Sequence, residues 1–321
     1  ITISTDIVND LPKIVWHLDE PISDPAAVPV YYLSKEAKKS VTVILTGDGA
    51  DELFAGYDQY KFLSFGYKVR LLPKTIRKAV PSAAKMLPKA LLDKIYKYSS
   101  ATGEQMFNRL GRMMLNIKDN KAKAYVDVVG IFDDEEKQSL LNFKFEPHYE
   151  KINEEFFSKG DFVTQLTYFD VKNYLPEDLL MKPDKMCMAH GIEARVPYLD
   201  YRLVEYSFSI PSSLKLRNNT TKYILKRALK NYLPKDIIYR KKQPFHMPLD
   251  EWFSKGLKSY FFDLLQEPIN SKLFNKHYVK KIFNNYSSSK LYYGRQLWSL
   301  GIFNIWYKVF VEEDKSLDLR W

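Results

Sequence analysis

Asp48, Asp51 and Glu52 place three carboxylates within five residues, interleaved with glycines in the string Thr46-Gly47-Asp48-Gly49-Ala50-Asp51-Glu52. Glycine lets a backbone come close to a ligand, and the first N–H groups of a helix attract anions. Three negative charges would repel a phosphate unless a divalent cation lay between them. The residue types and their spacing therefore point to Mg²⁺ bridging carboxylate and phosphate oxygens. A plainer reading is also open, in which Asp48 and Asp51 cap a turn and a helix start, where acids are favoured anyway.

A second group of chemical residues follows about 125 positions on, from Glu177 and Asp178 through Asp184-Lys185 to Glu193-Ala194-Arg195-Val196-Pro197-Tyr198-Leu199-Asp200. Glu177 and Asp184 are seven apart and share a helix face, while Glu193 and Arg195 are expected in a loop after Gly191. Alternating charges of this kind equally form structural ion networks. A third group holds Thr221-Lys222 at a helix start and the run Arg240-Lys241-Lys242-Gln243-Pro244-Phe245. A lysine in a first helical turn opposes the helix dipole, which makes sense if an anion sits there. The basic run by itself reads as an exposed loop.

The elements that must position these groups begin with an α/β unit. Residues 5–18 and 27–39 have helical spacing, separated by the loop Asp19-Glu20-Pro21-Ile22-Ser23-Asp24-Pro25. Val41-Thr42-Val43-Ile44-Leu45 is a short β-branched run expected as a buried strand of a parallel sheet. Residues 61–170 read as helical with a break around Asn142 to Tyr149. A long helix is expected from Val171 to His190, ending at Gly191 as its cap. Further helices are expected at 200–209, 220–232, 249–266, 276–286 and 293–312. The resulting division is 1–60 as part of a nucleotide-binding α/β unit, 61–170 as a helical basic insertion, and 171–321 as a helical region completing the site.

Composition sets the outer bounds. The 321 residues are 45% apolar and 27% charged, which excludes a wholly disordered chain. Cys187 is the only cysteine, so neither an internal disulfide nor a multi-cysteine metal site can form, as suits a reducing cytoplasm. No apolar run approaches the ~18 residues of a membrane span. The net charge of +10 favours phosphate-bearing ligands without specifying one. Much of it lies in Lys68 to Lys97, where nine basic residues stand against Asp93 and where Pro73, Pro81 and Pro88 should cut the chain into short helices. A nucleic-acid module is the reading of a different class, but no nucleic-acid motif accompanies the charge, and a solvated basic insertion is the plainer account. The chain starts at Ile1 rather than Met and is expected to be part of a longer one.

Taken in order, these segments resemble the synthetase domain of glutamine-dependent asparagine synthetases. The resemblance is carried by Asp19-Glu20-Pro21 with Asp24, Gly47-Asp48-Gly49-Ala50-Asp51-Glu52-Leu53-Phe54 with Gly56-Tyr57, Glu193 to Asp200, and Lys222-Tyr223-Ile224-Leu225-Lys226. It covers residues 15–60 and 170–255, with 61–165 matching loosely. It implies a parallel sheet of the pyrophosphate-loop, adenine nucleotide alpha hydrolase-like type, incomplete at its N-terminus and joined to a mostly helical C-terminal region. It further implies that ATP adenylates the side-chain carboxylate of aspartate, releasing pyrophosphate, and that ammonia drawn from glutamine then displaces AMP. By this likeness Thr46, Gly47 and Gly49 lie against the nucleotide and Asp51 binds Mg²⁺ and pyrophosphate. Asp48 acts on the acyl-adenylate and accepts a proton from ammonia, and Lys242 neutralises charge on the phosphates. Lys222, Glu193 and Arg195 support them.

The sequence departs from that family in lacking the upstream Ser-Gly-Gly-x-Asp-Ser pyrophosphate loop and the amino-terminal cysteine domain that hydrolyses glutamine. This chain alone is therefore expected to be inactive. Asp48 stands where many synthetases carry glutamate, and Pro244 where many bacterial relatives have glycine. Related domains amidate sugar acids or close β-lactam rings, so another carboxylate is an alternative substrate and a non-catalytic relative a further one. Oligomeric state is not legible, a homodimer being one arrangement left open.

Overall fold

The structure is a computed structural model that describes residues 6–85, 104–240 and 247–313. Helix Ile7–Leu18 buries Ile7, Leu11, Ile14, Val15 and Leu18, the 3–4 spacing of one helical face, and Asp6 caps its start. That face packs with helix Ala27–Ala37, with Met186, and with Trp252, Phe253, Phe261 and Trp298 from the C-terminal part of the chain. The long helix Lys290–Phe310 runs through this cluster, and Gly301 on it leaves the space that the Phe261 ring fills: a Cβ there would lie 2.4 Å from Phe261 Cζ. The Trp306 indole N–H donates to the Asp19 carbonyl at 2.8 Å, tying this helix to the end of the first.

A second core joins Tyr60, Leu63, Met113, Met114, Ile117, Tyr125, Val128, Phe157, Phe162 and Leu166 from the helices between residues 58 and 169. A third, smaller one seats Leu53 and Phe54 against Ile210, with Leu199 and Ile224 packed around them. The expected break falls between helices Asp134–Leu140 and Tyr149–Phe156. Helix Lys74–Lys85 continues through Pro81 rather than stopping there, against the ordinary cost of a proline inside a helix.

The sheet pairs β1 (Val43–Leu45) in parallel with β2 (Glu193–Arg195), in the register Val43↔Glu193, Ile44↔Ala194, Leu45↔Arg195. Two expectations are corrected here. The Glu193–Arg195 segment is a strand and not a loop. Gly191, with φ 64°, turns the chain, after which Glu193 N–H donates to the Thr42 carbonyl at 2.9 Å and the Thr46 N–H to the Arg195 carbonyl at 2.9 Å. The strand β1 is parallel as expected but not buried, Val43 being 40% and Leu45 72% exposed. Among the described residues the sheet has two strands, and the face carrying Val43 and Leu45 is exposed.

The long helix expected from Val171 begins earlier, at Phe162, and runs to Met188 through a π-helical stretch, Asp170–Leu179. Pro176 cannot donate inside this stretch, and the Leu180 N–H reaches the Leu175 carbonyl at 2.9 Å, five residues back. The helix expected at 249–266 is kinked at Gly256, φ 107°. Among the described residues no helix is long and apolar enough to cross a membrane. Of the basic residues between 68 and 97, Arg77 is buried and donates to the carbonyls of Leu72, Met114 and Leu115, and Arg70 lies over the Tyr67 ring. Those two cations serve the fold rather than standing in solvent, and residues 86–97 of the basic run lie outside the described residues.

Candidate active site

Strand β1 ends at Leu45 and delivers the loop Thr46–Gly49 to a single helical turn, Ala50–Leu53. Gly49 is required there on two counts: its φ is 88°, and a Cβ would lie 2.3 Å from Leu199 Cδ2. The Gly49–Leu199 contact and the bond from Thr46 N–H to Arg195 lock the segments following β1 and β2 together. The helix is one turn rather than a long one, so its dipole adds little, and recognition of an anion falls to loop N–H groups and side-chain cations. Gly47 is exposed, with nothing within 4 Å of where a Cβ would stand, and the Thr46 hydroxyl is buried without a hydrogen-bond partner. Asp48 is half-buried, and its charge, with that of Asp184, adds to the burial that pushes the Cys187 thiol up.

Asp51 meets Lys222, whose Nζ stands 3.1 Å from Asp51 Oδ1. The expected helix at 220–232 begins at Tyr223, with Lys222 as its cap in a left-handed conformation, φ 51°. Its own N–H donates to the Phe54 carbonyl at 3.2 Å, so the turn after Asp51 fixes the backbone of Lys222 as well. Gly56 lies under the pair: a Cβ there would fall 1.8 Å from Asp51 Oδ1 and 2.4 Å from Lys222 Cε. Two sequence segments, the loop after β1 and the 221–226 segment, are thus brought into one site.

Arg195 ends β2 opposite Leu45, beside Thr46, and its Nε donates to Glu193 Oε1 at 2.8 Å. Both side chains are exposed, and Glu193 pairs with Val43, two positions short of the strand end. Lys242 and Pro244 lie outside the described residues.

Four groups of interacting side chains were not foreseen. Lys182, buried, takes Asp24 as its ion-pair partner and has Asp178 at 3.4 Å. Burial pushes the Asp178 carboxyl up to about 6 against the opposing Lys182 charge. Lys185 likewise pairs with Asp19, so Asp19 and Asp24 anchor the 19–25 loop to helix Met181–Met188. Behind the Asp51 turn, the Tyr57 hydroxyl donates to the buried Glu52 carboxylate. Deeper still, Tyr60 and Tyr125 both donate to Asp170, which is fully buried at the start of the π-helical stretch. The sequence signals were present in Asp24, Lys182 and Asp170, but nothing local says that they face one another.

Among the described residues no three His, Cys, Asp or Glu side chains cluster in the manner of a metal cage. Mg²⁺ does not need one, since it commonly takes one or two carboxylates together with phosphate oxygens and water. Asp51, on the helical turn after a loop that carries an unpartnered threonine hydroxyl and an exposed glycine, could serve as a carboxylate of that kind. A cavity of about 340 Å³ lined by Glu155, Phe156, Thr164 and Tyr168 contains none of these residues.

A loop of carboxylates and glycines thus stands at the end of a parallel strand, met by a lysine from a distant helix cap. The family model described as asparagine synthase matches residues 2–308, and the chain belongs to that family. The match thus extends well past residues 15–60 and 170–255. The chain is 32% identical over 313 residues to asparagine synthetase [glutamine-hydrolyzing] 1 of Bacillus subtilis (strain 168), covering 96% of this chain and 47% of that protein. It is 30% identical over 315 residues to a putative asparagine synthetase [glutamine-hydrolyzing] of Mycobacterium tuberculosis (strain ATCC 25618 / H37Rv), covering 96% and 45%. A more distant relative is amidase chyE of Penicillium rubens, 25% identical over 252 residues, with 74% of this chain and 37% of that protein covered. The chain spans about half the length of the first two.

Proposed function

We propose that this chain supplies the synthetase half of a glutamine-dependent asparagine synthetase, in which ATP activates the aspartate side chain and ammonia completes the amide. The observation that carries this reading is the meeting of Asp51 and Lys222 at the end of β1, 3.1 Å apart across 171 positions of sequence. A carboxylate and an ammonium held together beside open backbone suit a triphosphate with its counter-ion. The carboxylate takes the cation, and the ammonium takes a phosphate oxygen.

In this reading the β-carboxylate of aspartate attacks the α-phosphorus of ATP, and pyrophosphate leaves. Ammonia then attacks the acyl carbon and AMP leaves. Gly47 and Gly49 let the backbone close on the nucleotide, and the Thr46 hydroxyl gains in the ligand the partner it lacks in the protein. Mg²⁺, when bound, would be held by Asp51 and would screen the charge that builds on the leaving pyrophosphate. Lys222, with Lys242 as a second cation, stabilises the same charge from the protein side. Asp48, on the loop Thr46–Gly49, accepts the proton that the attacking nitrogen must lose. The sheet is read as one of the pyrophosphate-loop type, glutamine as the source of ammonia and the cytoplasm as the setting, in keeping with the single buried cysteine.

The test is exchange of labelled pyrophosphate into ATP by the full-length protein. Aspartate-dependent exchange is the expected result. Exchange supported by a sugar acid but not by aspartate would move the assignment to another amidotransferase, and no exchange with any carboxylate would leave a non-catalytic relative.

A further inference from the structure

We propose that Tyr57 and Glu52 form a side-chain clamp that positions the Asp51–Lys222 pair, making Tyr57 a positioning residue for the adenylation step; the proposal rests on the reading above. The argument starts from the turn that the clamp closes. Glu52 is 1% exposed and receives the Tyr57 hydroxyl. Between them lie Leu53, Phe54, Ala55 and Gly56, and two of these four act on the pair directly. The Phe54 carbonyl accepts the Lys222 N–H at 3.2 Å, the Gly56 N–H donates to the Asp51 carbonyl at 2.8 Å, and the bare Gly56 Cα is the floor beneath Asp51 Oδ1 and Lys222 Cε. Ala55 sits at φ 52°, a left-handed conformation that a side chain disfavours, so the turn needs something to hold it.

The clamp has the features of a rigid part. The Tyr57 ring is wedged between Tyr60, at 5.7 Å between centroids, and Tyr174, at 6.3 Å, so the hydroxyl has little freedom to turn away. A buried carboxylate is a costly way to close a turn, and an apolar residue of similar volume would generally serve stability as well or better. What the carboxylate adds is direction: a hydrogen bond fixes where the turn stands, as packing alone does not. Loosening it lets the Asp51 carboxylate and the Lys222 backbone drift independently, and a displacement of about 1 Å in a catalytic group can cost about 100-fold in rate.

The experiment compares Tyr57→Phe, Tyr60→Phe and Glu52→Gln in the full-length enzyme, by aspartate-dependent pyrophosphate exchange and by thermal unfolding. Each tyrosine variant deletes one buried hydroxyl from a buried carboxylate, Tyr60→Phe leaving Asp170 its bond from Tyr125, so a merely structural role predicts losses of kcat that follow the losses of melting temperature. The clamp predicts that Tyr57→Phe lowers kcat by about 10- to 100-fold with the KM for aspartate within about threefold, a split that Tyr60→Phe does not show. Glu52→Gln, which keeps an oxygen to accept the Tyr57 hydroxyl, should stay within about fivefold of wild type. Equal kcat for Tyr57→Phe and wild type, or equal losses in the two tyrosine variants at equal melting temperature, would overturn the clamp. Should Tyr57→Phe not fold, Glu52→Gln decides, since a loss as deep as that of Asp51→Asn is incompatible with a role met by any acceptor. A wild-type enzyme without aspartate-dependent exchange refutes the adenylation reading and not the clamp; the clamp is then judged on Mg²⁺·ATP binding by the same variants, and unweakened binding by Tyr57→Phe rejects it.

Discussion

Lys222 Nζ stands 3.1 Å from Asp51 Oδ1, and the two meet directly over the α-carbon of Gly56. A methyl group at Gly56 would overlap the Asp51 oxygen, so Gly56→Ala must push the carboxylate aside. Gly56 has no positive φ that would strain alanine, and the loss should therefore fall on activity and not on folding. Pyrophosphate exchange is expected to drop by at least about tenfold, with the melting temperature within a few degrees of wild type. Wild-type exchange in the Gly56→Ala enzyme would show that the pair has room to rearrange.

Asp51→Asn keeps the shape of the side chain and removes its charge. The pair is about a quarter exposed on each side, so its loss should cost no more than about 1 kcal/mol of stability. Adenylation should suffer far more, because the charge that would hold Mg²⁺ is gone. Retained exchange at ordinary Mg²⁺ concentration, with an unchanged melting curve, would remove Asp51 from the metal role.

How much of this was legible in the sequence can be judged from particular residues. Val43-Ile44-Leu45 declared a strand because β-branched apolar residues suit little else in so short a run, and Gly191 declared a helix end because few residues accept its backbone angles. Glu193-Ala194-Arg195 did not declare one, since its strand character comes from pairing with β1 and not from its composition. Apolarity also misled on burial, because it reports what a strand could bury and not what covers it. The motif loop drew attention to Asp51, yet the contact from Asp51 to Lys222 and those from Asp170 to Tyr60 and Tyr125 join residues far apart in the chain. A single sequence offers no local signal for such pairs.

Lys182 is the cation on which Asp24 and Asp178 converge. Lys182→Met preserves length and apolar stem but leaves two carboxylates facing each other in a largely buried place. Breaking such a group from one side should cost about 3 kcal/mol, read as a shift in the urea unfolding midpoint. Part of the loss should return at about pH 5, where Asp178, already pushed up to about 6 by burial, takes a proton and relieves the repulsion. An unchanged midpoint would mean that the two acids are hydrated well enough to need no cation.

Asp170 carries the clearest pH dependence. Burial raises its carboxyl from the ordinary 3.8 to about 7, outweighing the two tyrosine hydroxyls that favour the ionised form, and the Glu52 charge pushes the same way. The groups facing it are Tyr60 from helix Asp58–Lys68, Tyr125 from helix Lys121–Val129 and Glu52 from the turn Ala50–Leu53. Because the folded state binds this proton more tightly than the unfolded chain, the contribution to stability is full below about pH 4 and is lost as the pH rises through about 7. Asparagine resembles the protonated acid in offering one acceptor and a donor to the two tyrosines, and it cannot ionise. Asp170→Asn should therefore match wild type near pH 4 and become the more stable of the two by about pH 8, as melting temperatures across that range would show. Parallel curves for the two proteins would mean that Asp170 is ionised throughout, held so by Tyr60 and Tyr125, and that the cost of its burial is met by those two hydrogen bonds.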